Sequence, residues 1–201
     1  KRYGSLNAEA QRFSVGNDFE GYKAQLDGNW KQKGFQANWI GSILTSDAQG
    51  KNDYLRHKVD LSQKVGKIRI GYKDDHERNV FRNTLALEKN SYQFFDYQFY
   101  VANGDSAKND FRIFYRERYD LLSDSFRLKA AAKATTVGGE FTFRNLKNQR
   151  LNIVTSYRQL EIKDALLINQ TPENSLLGRV DYEIRAFKNA LTFNVFYEAG
   201  S

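Results

Sequence analysis

The stretch DFRIFYRERYD, Asp110 to Asp120, alternates rings with charges in a period of two. The members of one parity are apolar or aromatic: Phe111, Ile113, Tyr115 and Tyr119. The members of the other parity are cationic: Arg112, Arg116 and Arg118. Successive side chains of a β-strand point to opposite faces, so this stretch predicts a strand with one aromatic and one charged face. Function then depends on what contacts the aromatic face: a protein core, lipid or nucleic-acid bases.

The same alternation recurs at intervals of roughly 12 to 18 residues, between clusters of Gly, Asn, Asp and Lys. Clear examples are residues 22–30, 35–43, 55–61, 125–136 and 177–187, together with the shorter segment GEFTF at 139–143 and a less regular one that contains Leu85 and Leu87. The short connections between segments favour antiparallel pairing, because a parallel crossover needs about a dozen residues or more. The sequence therefore predicts an all-β fold, an antiparallel up-and-down meander of about twelve strands that forms a barrel or a strongly curved sheet. We expect a single domain over residues 1–201 that is a fragment of a longer chain.

Composition excludes several classes of protein. The chain has 201 residues and no Cys, so it has no disulfide framework, thiolate metal site or Cys nucleophile. Its net charge is +7, but 24 acidic residues are interspersed among 31 basic ones, which favours a mixed solvated surface over a polyanion groove. No run of 18 apolar residues occurs, which excludes a transmembrane helix.

Two sets of residues are the candidate contact surfaces. The predicted aromatic face carries Trp30, Trp39, Phe111, Ile113, Tyr115, Phe126, Leu128, Tyr182, Phe193 and Tyr197. The predicted basic polar face carries Arg112, Arg116, Arg118, Arg127, Lys129 and Lys133. A nucleic-acid-binding sheet needs rings and cations on the same side. Because they lie on opposite sides here, we expect no nucleic-acid partner.

The sheet can hide its aromatic face in two ways. It can close with that face against lipid, or curl so that the face lies inside around an apolar ligand. Segments of about nine to eleven residues suit an outer membrane, and so does an opposite face of mixed charge. Phe114 and Glu117 break the alternation, which indicates a bulge or a strand that reaches past the membrane boundary. Leu160 and Ile162 change parity within one segment, which also predicts a bulge.

Residues that could carry chemistry have simpler interpretations. The cluster 74–77 in KDDHER is interpreted as a solvated hairpin turn, and the glycines of VGGEF as another turn. His57 lies on an apolar parity, where an imidazole with a hydrogen-bond partner is expected rather than a catalytic base. Asp181 and Glu183 share a strand face with flanking arginines, which favours ion pairing over glycoside hydrolysis. We expect no catalytic residues, no cofactor, no metal site and no enzymatic activity.

Two segments carry a family resemblance: FRIFYRERYDLL and NSLLGRVDYEIRAFKNALTFNVFYEAGS. They resemble large, poorly characterised all-β cell-envelope proteins of Gram-negative bacteria, and the general pattern is similar to outer-membrane β-barrel sequence. The resemblance covers mainly residues 110 to 201. It implies an envelope location and no enzymatic activity, and it assigns no functional residues.

The leading hypothesis is a non-enzymatic, outer-membrane β-barrel-like protein of the cell envelope, with a structural role or a role in passage and binding of a solute or polymer. Its partners would be membrane lipid and other envelope proteins. The first alternative is a soluble β-barrel or groove, in the periplasm or at the cell surface, that binds a lipid or another apolar ligand. The second is a carbohydrate-binding or adhesion module that exposes Trp30 or Trp39, although packing in a core is the simpler interpretation of both.

Overall fold

The computed structural model describes residues 3–15, 19–48, 50–83, 88–103, 109–123, 129–144, 149–164, 172–186 and 191–200. Within these ranges the chain forms eleven β-strands. Their bounds are β1 (Gly4–Val15), β2 (Phe19–Gln32), β3 (Phe35–Ala48), β4 (Gly50–Val65), β5 (Ile68–Asn83), β6 (Glu88–Asn103), β7 (Asn109–Ser123), β8 (Lys129–Phe143), β9 (Gln149–Asp164), β10 (Glu173–Ala186) and β11 (Leu191–Gly200). The described residues contain no helix with the length and apolar character needed to cross a membrane.

All eleven strands belong to one sheet, in which each strand pairs with its sequence neighbours and β1 and β11 form the two edges. Every pair is antiparallel. The predicted all-β, up-and-down meander is therefore confirmed. It requires only local connections, because each new strand folds back beside the one before it.

Two tight hairpins close one end of the sheet. Lys33 and Gly34 connect β2 to β3, and both have positive φ angles, 45° and 84°. A two-residue loop with positive φ at both positions is a type I′ turn, whose twist matches that of the flanking strands. Gly66 has a φ of 61° in the β4–β5 turn, where the absence of a Cβ removes the steric cost.

The strand count differs from the predicted twelve for identifiable reasons. Residues 125–136 and the segment GEFTF were expected as two strands, but the described part of both belongs to β8. Gly138 and Gly139 lie inside that strand and not in a turn. β1 was not predicted, because its aromatic content is low. The segment around Leu85 and Leu87 lies outside the described residues.

The strands are also longer than expected, and the predicted turn at 74–77 and the predicted bulges in β7 and β9 are wrong. Most strands have 14 to 16 residues. The cluster 74–77 is consequently part of β5 rather than a hairpin turn, since its charged side chains pair with those of adjacent strands. Neither β7 nor β9 has a bulge, because both pair with their neighbours in unbroken register.

Paired residues share a face, so the register defines two faces that are continuous across the sheet. The aromatic face contains the row Gly4, Trp30, Ala37, Leu61, Tyr72, Phe99, Tyr115, Val137, Tyr157 and Leu176. The polar face contains the row Ser5, Asn29, Asn38, Asp60, Lys73, Gln98, Arg116, Thr136, Arg158 and Ser175.

The described residues form no hydrophobic core. Among the residues whose burial is described, the buried apolar ones are Val80, Phe94 and Ala134, whereas large apolar side chains are exposed along almost every strand. Trp30 is 48% exposed, so its expected packing in a core is wrong. Within the described ranges, the aromatic face of the sheet is therefore not covered by a second layer.

Candidate functional site

The aromatic face carries every described residue of the predicted apolar set. These residues are Trp30, Trp39, Phe111, Ile113, Tyr115, Tyr182, Phe193 and Tyr197. Phe126 and Leu128, of the same set, lie outside the described residues, as does Arg127 of the basic set. Ile113 is 51% exposed and Tyr197 is 68% exposed, so this face is open along the sheet.

The apolar band on this face crosses the hydrogen-bonded rows obliquely. On β2 the band runs from Tyr22 to Trp30. It therefore lies on the side of the Trp30 row that is away from the Lys33–Gly34 turn. The row that contains Trp30 reaches β10 at Leu176. On that strand the band continues to Ile184, which lies eight residues (184 − 176) farther towards the end of the sheet that carries the Lys33–Gly34 turn. A band that shifts by about one residue per strand is perpendicular to a barrel axis only if the strands are tilted relative to that axis. The strands of barrels are tilted in this way by about 35–45°.

A polar cluster lies near the upper boundary of the band on β4 and β5, which is the boundary on the side away from the Lys33–Gly34 turn, with the exposed Leu55 beyond it on β4. The Nε2 atom of His57 lies 2.7 Å from Oδ2 of Asp74, and the ring of His57 meets that of His76 edge-on at 5.1 Å. His76 in turn stacks on Phe95 with 4.2 Å between ring centroids. His57 thus has the hydrogen-bond partner expected for it. Within the described ranges, no group of three or more His, Asp or Glu side chains could hold a metal ion.

Glu117 continues this boundary on β7. Its carboxylate accepts hydrogen bonds from the hydroxyls of Tyr97, Tyr115 and Tyr119, the last at 2.8 Å. Lys133 Nζ lies 3.5 Å from Glu117 Oε1 and sits over the ring of Tyr119. The charge on the otherwise apolar parity of β7 is therefore fully partnered at the edge of the band.

Lys133 consequently lies on a different face from the one predicted. It pairs directly with Tyr119, which places it on the aromatic face and not with the arginines of β7. The parity of β8 is set by Val137 and Phe141, which pair with Tyr115 and Phe111. Lys129 begins β8, and its side chain lies outside the described part of the chain.

The polar face of β6 and β7 holds a ladder of ion pairs. Arg116 Nε donates to Asp96 at 2.8 Å, and the guanidinium of Arg118 donates twice to Asp120 at 2.8 and 2.9 Å. The Asp96 side chain is only 12% exposed, so this pair is stronger than a solvated surface pair. Arg112 instead donates to Gln98 at 2.7 Å.

Rings on the polar face cover glycines on the neighbouring strands. Tyr100 lies over Gly71, and Phe114 lies over Gly138, where a Cβ would be 2.6 Å from the ring. Arg112 stacks on Tyr100 at 4.6 Å. Rings that cover strand glycines are a device for curving a sheet, so Phe114 has a structural reason to interrupt the charged parity.

Three concave regions are candidate contact sites. A region of about 410 Å³ on the polar face lies between Lys58, Lys73 and Arg116. A second, of about 610 Å³, lies over β7 to β10 between Arg118 and Arg158. A third, of about 750 Å³, is an apolar groove on β1 to β4, whose floor includes small residues such as Gly41.

Sequence reasoning missed two residues of these sites. Asp96 lies inside an aromatic run and Arg158 lies near a parity change, so neither was singled out. Their importance depends on register, which brings Arg158 into the same row as Arg116. Asp181 is one of the two carboxylates of β10 that were expected to form ion pairs. It accepts a hydrogen bond from Arg179 at 2.9 Å along its own strand and another from Asn152 on β9 at 3.2 Å.

Comparison with known proteins gives the fold. No family model and no curated protein sequence matches the chain. The siderophore receptor PirA of Pseudomonas aeruginosa superposes with a TM-score of 0.76 at 13% identity, over 98% of this chain and 37% of the receptor. OmpT, an outer membrane protein of Vibrio cholerae, superposes with a TM-score of 0.50 at 10% identity, over 100% of this chain and 89% of OmpT. The chain thus spans little more than a third of the receptor's length, and its structural neighbours are outer-membrane β-barrel proteins.

Proposed function

We propose that the chain forms part of the wall of an outer-membrane β-barrel, in which the aromatic face contacts lipid and the polar face lines the lumen. Its role is non-enzymatic, either structural or in the passage and binding of a solute or polymer. The partners are membrane lipid and other proteins of the cell envelope. The neighbouring barrels support this placement through their fold.

The observation that carries the proposal is the exposed apolar band with its polar upper boundary. Removing apolar surface from water is favourable by a free energy of about 25 cal/mol per Å². Soluble monomers rarely expose apolar patches of more than a few hundred Å². The band includes Trp30, Ile113 and Val195, all of which are exposed, and it extends across the sheet. It is therefore larger than the apolar patches that soluble monomers expose to water. Asp74 and Glu117 carry charge near the end of the band on β5 and β7, and His57 contacts Asp74 there, on the side where headgroups would begin.

Two adjacent residues of β8 test the proposal. Thr136 lies on the polar face and Val137 on the aromatic face, and the chain has no Cys of its own. We expect a spin label at Val137→Cys in the full chain, reconstituted in vesicles, to be accessible to oxygen dissolved in lipid. A label at Thr136→Cys should instead be accessible to a water-soluble nickel complex.

The two labels also separate the alternatives. A soluble lipid-binding groove predicts that the protein remains monodisperse without detergent and that neither label contacts the bilayer. A carbohydrate-binding module predicts that Trp30→Ala abolishes glycan binding. A protein that is monodisperse without detergent, with neither label in contact with the bilayer, would overturn the membrane placement. Loss of glycan binding in Trp30→Ala would favour the carbohydrate-binding module instead.

A further inference from the structure

We propose that the polar face over β7 to β10 contains a binding site for a small multivalent anion, built around Arg158 with Arg116 and Arg118. The site deepens the proposed function and rests on it, since a polar face that lines a lumen would present the site to passing solutes. The anion is of the carboxylate or phosphate class.

The register aligns the cationic groups across a gap. Arg116, Thr136 and Arg158 occupy consecutive positions of one row on β7, β8 and β9. Neighbouring strands lie about 4.8 Å apart, so the two arginines start from backbone positions about 10 Å apart. Only the short side chains of Thr136 and Ala134 lie between them, and the resulting concave region measures about 610 Å³.

The charges in this region do not cancel. Asp96 pairs with Arg116 and Asp120 pairs with Arg118. Arg158 is exposed, and within the described ranges no carboxylate lies at ion-pair distance from it. The region thus has one surplus positive charge, because Asp120, whose carboxylate also interacts electrostatically with Arg158, already binds Arg118.

The neighbouring concave region shows the contrast. There, Lys58 lies 3.0 Å from Asp75 and Lys73 lies 3.4 Å from Asp60. Its lysines are already neutralised, although it lies on the same face and shares Arg116. The surplus charge, and not the general polarity of the face, therefore distinguishes the site at Arg158.

The side chains in the gap fit an oxyanion with several acceptor atoms. A guanidinium binds a carboxylate or a phosphate through two parallel N–H donors, and such charge-assisted bonds are roughly twice as strong as neutral ones. The hydroxyls of Thr136, Ser156 and Ser175 line the same region and can each donate one further hydrogen bond. Two anionic groups on one molecule could engage Arg158 and Arg118 together.

The test is a titration of the full chain in an uncharged detergent with pyrophosphate and, separately, with citrate, followed by calorimetry. We expect at least one of them to bind and Arg158→Gln to weaken that binding about tenfold, which corresponds to about 1.4 kcal/mol. The preferred probe identifies the class as phosphate or carboxylate.

Arg150→Gln is the matched control. Arg150 lies on the same strand and the same face as Arg158, is also exposed, and lies outside the concave region. The Arg150→Gln variant loses the same charge as Arg158→Gln but keeps the site intact, so its affinity for the anion should stay near that of the wild type. Equal weakening by both variants would mean a general field effect and would overturn the site, as would the absence of binding by either probe.

The two proposals fail in distinguishable ways. If neither anion binds but Val137 reports lipid and Thr136 reports water, the membrane placement stands and the anion site is wrong. If Thr136 reports lipid, the polar face does not line a lumen, and the proposed function fails together with the site.

Discussion

Phe114 is a ring on a strand parity that is otherwise charged, and the residue opposite it explains why. Gly138 pairs with Phe114 across β7 and β8, and the ring fills the space that a side chain at Gly138 would need. The carbonyl oxygen of Thr155 lies only 2.9 Å from that Cβ position on the other side. The glycine and the ring therefore act as one packing unit, which local sequence alternation does not show.

We expect Gly138→Val to destabilise the folded protein by about 1–3 kcal/mol, because the added side chain must displace the ring or the backbone. Urea unfolding of the full chain in vesicles measures this loss. Gly178→Ala is the control, since no atom of a described residue beyond its chain neighbours lies within 4 Å of its Cβ position and the substitution should cost little. A Gly138→Val variant as stable as the wild type would show that Phe114 does not pack there.

Glu117 is the second residue that breaks the alternation of β7. Three tyrosine hydroxyls and one lysine surround it, and two of the tyrosines, Tyr115 and Tyr119, are its neighbours on the same face of β7. Tyr97 and Lys133 come from β6 and β8, so only the paired sheet assembles the cluster. A charge at this position is tolerated because its partners lie on both neighbouring strands.

At the scale of the strand, β8 shows how register determines faces. A shift of one residue moves every side chain of a strand to the opposite face. If residues 125–136 and GEFTF are two separate strands, the parity of Phe141 does not constrain Lys133, and the alternation alone predicts the wrong face for Lys133. The continuous pairing of β8 with both neighbours fixes its faces.

Engineered disulfides can check the register of β6 and β7. Val101 pairs directly with Ile113, so Val101→Cys with Ile113→Cys should oxidise to a disulfide in the folded protein. Directly opposed residues have Cα atoms about 4.5–5.5 Å apart, within disulfide range.

The control pair is Val101→Cys with Tyr115→Cys, which is displaced by two residues along β7. Diagonal neighbours are about 7–8 Å apart, which is too far for a disulfide without backbone movement. Mobility on a non-reducing gel reads out both pairs. Efficient cross-linking of the displaced pair would contradict the register.

At the scale of the whole molecule, strand direction limits how the sheet can close. Eleven antiparallel strands leave β1 and β11 running in the same direction. A seam between them would be parallel, whereas bacterial single-chain barrels have an even number of antiparallel strands. An antiparallel barrel that contains this sheet therefore needs an odd number of further strands between β11 and β1.

The proposed membrane placement predicts a depth-dependent cost on β7. Ile113 and Leu121 are both exposed on the aromatic face, at 51% and 40%, but Glu117 lies between them. We expect Ile113→Arg to cost about 2–4 kcal/mol of folding free energy in a bilayer, and Leu121→Arg about 0–1 kcal/mol. Reversible folding into vesicles measures both. Equal costs would mean that the boundary at Glu117 is not the edge of the lipid.

The sequence by itself determined the all-β class, the antiparallel meander and the two faces of most strands, because alternation with a period of two is a local property. It could not show that β8 is continuous, that Phe114 packs on Gly138, or that Arg158 shares a row with Arg116. These features depend on which residues of different strands lie opposite one another, and pairing across the sheet fixes that. The tertiary structure also decided that the aromatic face is open along the sheet, since the described residues form a single layer.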